Sequence, residues 1–68
     1  MSAVHPIVQE AADLYRDISR TYTELADAIE ARDTEKHEAL RGKLRILHAM
    51  LQNNAARADK LAQRMGMT

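Results

Sequence analysis

The chain has 68 residues, equal numbers of acidic and basic side chains, and no cysteine. Chains shorter than about 70–80 residues seldom bury enough apolar surface to fold alone without a disulfide, a metal or a partner. Without cysteine there is no disulfide or thiolate metal site, and no apolar run approaches the roughly 20 residues that cross a bilayer. The N-terminal segment lacks the basic start and apolar core of a signal peptide. From the length we expect one domain over residues 1–68, and from the missing apolar run and signal peptide we expect it to be soluble and cytoplasmic.

The first predicted helix covers about residues 6–31, in a chain rich in good helix formers and without Phe or Trp. Pro6 suits the first helical turn, where its missing N–H costs nothing. Apolar residues then recur at alternating spacings of three and four, a heptad seam, at Val8, Ala11, Tyr15, Ile18, Tyr22, Leu25 and Ile29. Further apolar residues flank this seam on one side at Ile7, Leu14 and Ala28 and on the other at Ala12 and Ala26. So wide a stripe favours a multi-helix bundle.

Residues 32–35 are the predicted corner between two helices. Continuing the first spacing past Ile29 would put Arg32 on the apolar line, and a new seam starts one residue late at His37. Asp33 is a favoured N-cap, with Thr34 as the other choice, so the second helix is predicted over about residues 34–65. Gly66 then ends it. A single continuous helix stays open as the alternative, because neither glycine nor proline marks the corner.

The second seam also alternates three and four, over His37, Leu40, Leu44, Leu47, Leu51, Asn54, Ala58, Leu61 and Met65. Asn54 is its polar member and has two interpretations. A buried Asn lowers stability while it fixes register and partner number. Alternatively, Asn54 lies where the seam meets solvent.

Charge favours an all-α, antiparallel two-helix hairpin. Residues 1–33 carry seven acidic against three basic side chains, and residues 34–68 carry seven basic against three acidic ones. A lone hairpin covers one side of each seam, so we expect a homodimer that forms a four-helix bundle, or a different protein that supplies the missing helices. The predicted oligomer seam consists of Tyr15, Ile18, Tyr22, Leu25, Ile29, Leu40, Leu44, Leu47, Leu51, Asn54 and Leu61.

Catalytic chemistry finds little support in the sequence. His37 follows Asp33 by four residues, a spacing that could hold a metal on one helical face, but two ligands are too few and Asp33 is better used as a cap. No nucleophile with a partnered base is traceable, and His37–Glu38 lacks the second His of a zinc-protease helix. We therefore expect a non-enzymatic protein without a metal or cofactor.

An apolar pair outside the seam, Ile46 and Met50, indicates a docking surface for another protein. Arg45, Asn53 and Arg57 would form its polar rim. The alternative partner is nucleic acid, bound through the bases of the second helix, which are Arg41, Lys43, Arg45, Arg57, Lys60 and Arg64.

The second half of the chain also resembles the flagellar and type III export chaperones of the FlgN/FliT type. The resemblance is carried by an acidic corner, a Leu-rich second helix and an ending near glycine, at Ala31, Asp33, Leu40, Leu44, Leu47, Leu51, Leu61, Gly66 and Met67. It implies a helical hairpin that caps or sequesters a partner protein. A phage- or plasmid-type regulator that blocks a host protein fits the same features.

Overall fold

The computed structural model describes residues 5–67 and contains two α-helices, α1 (Pro6–Glu30) and α2 (Thr34–Arg64). They pack side by side as an antiparallel hairpin. The predicted all-α hairpin is confirmed, with each helix ending one residue earlier than expected, and the single continuous helix is wrong. Residues 1–4 and 68 of the predicted domain lie outside the described residues.

Backbone and side-chain groups near the helix ends explain where each helix starts. Pro6 is the first residue of α1, and the Nδ1 atom of His5 accepts a hydrogen bond from the Ile7 N–H at 3.1 Å. Asp33 caps α2, where its carboxylate accepts from the Lys36 N–H at 3.1 Å. The sequence therefore identified the cap of α2, but it assigned no role to His5.

Both helices end in the same hydrogen-bonded motif. After α1, Asp33 N–H donates to the Ala28 carbonyl at 2.9 Å, and Arg32 has a φ of 57°. After α2, Met67 N–H donates to the Ala62 carbonyl at 2.9 Å, and Gly66 has a φ of 72°. This is the Schellman motif, whose left-handed residue is usually glycine. The corner was hard to recognise in the sequence because an arginine occupies that position.

The core lies along one line between the helices. Leu14 and Ile18 of α1 pack with Leu44 and Leu47 of α2, and Leu25 and Leu51 border them. The hairpin measures 50 × 26 × 14 Å, and one helix with its side chains is about 10–12 Å across. The molecule is therefore a single layer of two helices, with no further element packed on either broad face among the described residues.

The contact line on α1 differs from the predicted seam. The buried residues of α1 are Leu14, Ile18, Thr21 and Ala28, whereas Tyr15, Tyr22 and Ile29 are each more than half exposed. Leu14 and Ala28 were expected to flank the seam, and Thr21 was not expected in it. Thr21 is completely buried, and its hydroxyl donates to the Asp17 carbonyl at 2.7 Å. The helix is thus turned about 50° from the expected position, half of the 100° that separates successive residues.

On α2 the predicted line agrees with the structure over most of its length. Leu40, Leu44, Leu47 and Asn54 are buried, and His37, Leu51, Ala58 and Leu61 are partly buried. Met65 is exposed, because α2 continues past the start of α1. The role of these residues in an oligomer stays a prediction.

Candidate docking surfaces

Helix α1 carries two parallel seams, displaced from each other by one residue. The inner seam packs on α2 and contains Ile7, Ala11, Leu14, Ile18, Thr21, Leu25 and Ala28. The outer seam contains Val8, Ala12, Tyr15, Ser19, Tyr22, Ala26 and Ile29, and all seven are exposed. Both alternate spacings of three and four, so each is a complete heptad pattern. The predicted seam took alternate members from both.

Charge is excluded from both seams. The eight charged residues of α1 all lie elsewhere on its surface, at Glu10, Asp13, Arg16, Asp17, Arg20, Glu24, Asp27 and Glu30. The large members of the outer seam are 57%, 61%, 51% and 57% exposed, in the order Val8, Tyr15, Tyr22 and Ile29. An uncharged, exposed strip running the length of a helix is typical of a protein-binding surface. Tracing uncharged positions along α1 would have revealed both seams in the sequence, without showing which of them is exposed.

A second exposed apolar group lies on α2, where Ile46 is 64% and Met50 is 49% exposed. Asn53 and Arg57 follow at helical spacing, and the Arg57 Nε–H donates to the Asn53 Oδ1 at 3.0 Å. We call these four residues the α2 stripe. All four were predicted for the docking surface, and they lie along one side of α2.

Arg45, the remaining member of the predicted rim, faces the other side of the hairpin. It lines an open depression of about 400 Å³ together with Tyr22, Leu25, His37, Arg41 and Leu44. Arg57 instead contacts Glu10, and Glu10 and Tyr22 lie about 120° apart around α1. Arg45 therefore lies on the Tyr22 side of the hairpin, and the α2 stripe lies on the Glu10 side. This separation is expected, because Arg45 is adjacent in sequence to Ile46 and adjacent helical residues point about 100° apart.

Tyr22, which lines this depression, also contacts α2 through His48. The Tyr22 hydroxyl lies 3.5 Å from the His48 Nε2, and the two rings meet edge to face with centroids 6.4 Å apart. This pair ties the outer seam of α1 to the basic side of α2. Tyr22 thus lines the same depression as two arginines, Arg41 and Arg45.

On the opposite side a polar network joins the helices. The Asn54 Nδ2 donates to the Ile7 carbonyl and to the Glu10 Oε1, both at 2.9 Å, and Asn54 is only 3% exposed. Arg57 also donates to Glu10. The hydrogen bond from Asn54 and then that from Arg57 lower the pKa of Glu10, because both stabilise the carboxylate. Asn54 is thus buried and not exposed to solvent, although it lies beside the first turn of α1, at one end of the helix overlap.

The six bases proposed for nucleic acid do not form one stripe: Lys43 is exposed on α2, and the other five are divided among three places. Arg41 and Arg45 line the depression beside Tyr22, Arg57 pairs with Glu10, and Lys60 and Arg64 lie together near the end of α2. Asp33, considered as a metal ligand with His37, accepts the N–H of Lys36 as a cap. Within residues 5–67 no group of three or more metal-ligating side chains comes together.

Comparison with known proteins gives no relative: no protein-family model, curated protein or solved structure matches this chain. Neither α1 nor α2 combines the length and the apolar character that a membrane-crossing helix requires.

Proposed function

We propose that this chain is a small, non-enzymatic protein-binding module that caps or sequesters a helical segment of another protein. The supporting observation is the amount of apolar surface that the hairpin leaves uncovered. The outer seam of α1 and the Ile46–Met50 pair of α2 present six large apolar side chains to solvent on two different sides. An export-chaperone-like role and a regulator that blocks a host protein would both fit such surfaces. We propose the cytoplasm as the place of action, as expected from the sequence.

We assign contact with the other protein to the α2 stripe. Ile46 and Met50 lie one turn apart and contribute nothing to the core. Fully burying a side chain of this size contributes about 1.5–3 kcal/mol, and those already half covered contribute less. Asn53 and Arg57 would orient the partner, although Arg57 is already held by Glu10 and Asn53.

The test is the variant Ile46→Asp, which puts a charge in the centre of the apolar pair. We expect partner binding to weaken at least about tenfold, near 1.4 kcal/mol, with helicity and association state unchanged. The partner is first identified by capture from the native host and mass spectrometry, and affinity is then measured by calorimetry. Ala56→Asp is the matched control, because Ala56 is an exposed α2 residue outside the stripe. Unchanged binding by folded Ile46→Asp would contradict the assignment.

Nucleic acid is the second candidate, and one observation favours it. Arg41 and Arg45 line the same depression as the half-exposed Tyr22, and a base can stack on an aromatic ring while arginines hold its phosphates. Binding to single-stranded RNA that falls steeply with salt would support this alternative. Salt-tolerant binding of a protein would support the protein-binding module.

A further inference from the structure

The outer seam of α1 has an internal symmetry. Its residues are Val8, Ala12, Tyr15, Ser19, Tyr22, Ala26 and Ile29. Read from either end, the order is a β-branched residue, an alanine, a tyrosine and then the central serine. When two such strips face each other antiparallel across a two-fold axis near Ser19, at right angles to the helix, residues of the same kind therefore meet.

This symmetry is what a self-complementary interface requires. In a two-fold dimer the same patch is used by both copies, so each residue and its counterpart contact reciprocally. We propose that the outer seam of α1 binds the outer seam of a second copy, antiparallel, so that two hairpins stack into a four-helix bundle. Val8 then faces Ile29 of the second copy, Tyr15 faces Tyr22, and the two Ser19 residues meet at the axis. This inference rests on the proposed function and deepens it, because a second copy covers part of the apolar surface that the hairpin alone leaves exposed.

Side-chain size agrees with this pairing. The large residues of the seam form one column and the small residues, Ala12, Ser19 and Ala26, form the other. The large column lies nearer to α2, as the contact between Tyr22 and His48 shows. In the proposed dimer the large column fills the centre of the bundle, and the small column lets the two α1 helices approach closely along its outer edge.

Charge favours stacking α1 on α1 over stacking α1 on α2. The side of α2 next to the outer seam is polar and carries Arg41, Arg45 and His48, a poor match for an uncharged strip. With α1 on α1, the axis crosses α2 near Leu51, because Tyr22 is level with His48 and the helices are antiparallel. Arg41 of one copy then lies within two residues of the level of Asp59 of the other, about 3 Å along the helix axis. These two residues share one face of α2, since eighteen residues complete five helical turns.

The area involved suits a dimer of moderate strength. An aromatic side chain buries about 150–250 Å² when fully covered, and the two tyrosines are half exposed, so both outer seams together offer on the order of 1,000 Å². Stable complexes bury about 1,200–2,000 Å² in total. The contacts of α2 with α2 would add the remainder, so we expect micromolar association.

The test uses single cysteines, because the chain has none of its own. Ser19→Cys should form a disulfide-linked dimer under mild oxidation, since the axis brings the two sulfur atoms together, at the Cα separation of about 4.4–6.8 Å that a disulfide needs. Arg20→Cys is the control, because its side chain is turned about 100° away at the same level. A mixture of Val8→Cys with Ile29→Cys should cross-link between the two variants, and Val8→Cys alone should not.

Three results would overturn the inference. The first is a monomer in light scattering of the pure protein from micromolar to millimolar concentration. The second is equal cross-linking of Ser19→Cys and Arg20→Cys. The third is self-cross-linking of Val8→Cys, which would indicate that the two α1 helices are parallel. None of these measurements involves the partner. A monomer whose partner binding still depends on Ile46 would overturn the dimer and leave the proposed function in place. A cross-linked dimer that binds no protein would contradict the proposed function alone.

Discussion

At the scale of single residues, the corner depends on a side chain in an unfavourable backbone conformation. Arg32 has a φ of 57°, in the left-handed region where a Cβ costs roughly 1–2 kcal/mol. Gly66 occupies the equivalent position after α2 without that cost, and a Cβ built there would touch no neighbouring atom within 4 Å. The two helix ends therefore differ in backbone strain, which is carried by Arg32 and absent at Gly66.

We expect Arg32→Gly to stabilise the hairpin by up to about 1 kcal/mol, since relief of strain outweighs the entropy that glycine adds to the unfolded chain. The reverse change at the other end, Gly66→Ala, should lower stability by a similar or smaller amount. Urea unfolding followed by circular dichroism measures both. A lower stability of Arg32→Gly would mean that the arginine side chain makes a contact worth more than the strain.

At the scale of the two elements, a polar network decides which side of α1 faces α2. Asn54 and Arg57 of α2 both donate to Glu10 near the start of α1, and Asn54 also reaches the Ile7 carbonyl. These contacts require α1 to turn its Glu10 side toward α2. The same rotation carries Tyr15, Tyr22 and Ile29 outward. One network therefore both joins the helices and exposes the outer seam.

The network predicts a pH dependence of stability. The pKa of Glu10 is lowered in the folded chain, so the folded carboxylate releases its proton more readily than the unfolded one. Its stabilisation is fully present above the unfolded pKa of about 4.3, and it is lost as pH falls through the lower, folded pKa. At neutral pH we expect the native chain to have a larger free energy of unfolding than the Glu10→Gln variant. This difference should shrink below about pH 4.3.

Asp13→Asn is the control for this experiment, because the hydrogen bonds and ion pair of Asp13 stay within α1, with Gln9 and Arg16. Thermal melts of the three proteins between neutral and acidic pH give the comparison. A Glu10→Gln difference that is constant over this range would show that the carboxylate of Glu10 contributes no proton-linked stability.

At the scale of the whole molecule, the hairpin is a slab 14 Å thick, and its core is one line of contact between two helices. A chain of this size sits near the lower limit for independent folding. Burial of the outer seam in a second copy would raise the apolar area covered per residue. Stability and association are then coupled by mass action.

We therefore expect the melting temperature of the native chain to rise with protein concentration. Ser19→Arg should abolish that dependence, because it places two like charges and two long side chains at the proposed axis. Its helicity should be unchanged at high concentration, since Ser19 is exposed in the hairpin. Scanning calorimetry across a hundredfold dilution is the measurement. Concentration-independent melting of the native chain would argue for a hairpin that is stable by itself.

The sequence by itself determined the helices and most of their ends. Pro6, Asp33 and Gly66 act on the backbone groups next to them, and the heptad spacing of α2 leaves a single apolar line. These are local properties, so they can be recognised without knowing what packs where. The backbone conformation of Arg32 could not be predicted, because nothing in the sequence marks an arginine that adopts a left-handed conformation.

Only the tertiary structure decided which apolar line of α1 would be buried. Two adjacent heptad seams are present, and periodicity fits either of them or the line between. The choice depends on hydrogen bonds that Asn54 makes across 47 and 44 residues of sequence, to Ile7 and Glu10. Because those contacts are long-range, local pattern could establish that α1 is amphipathic but not which half of its stripe stays exposed.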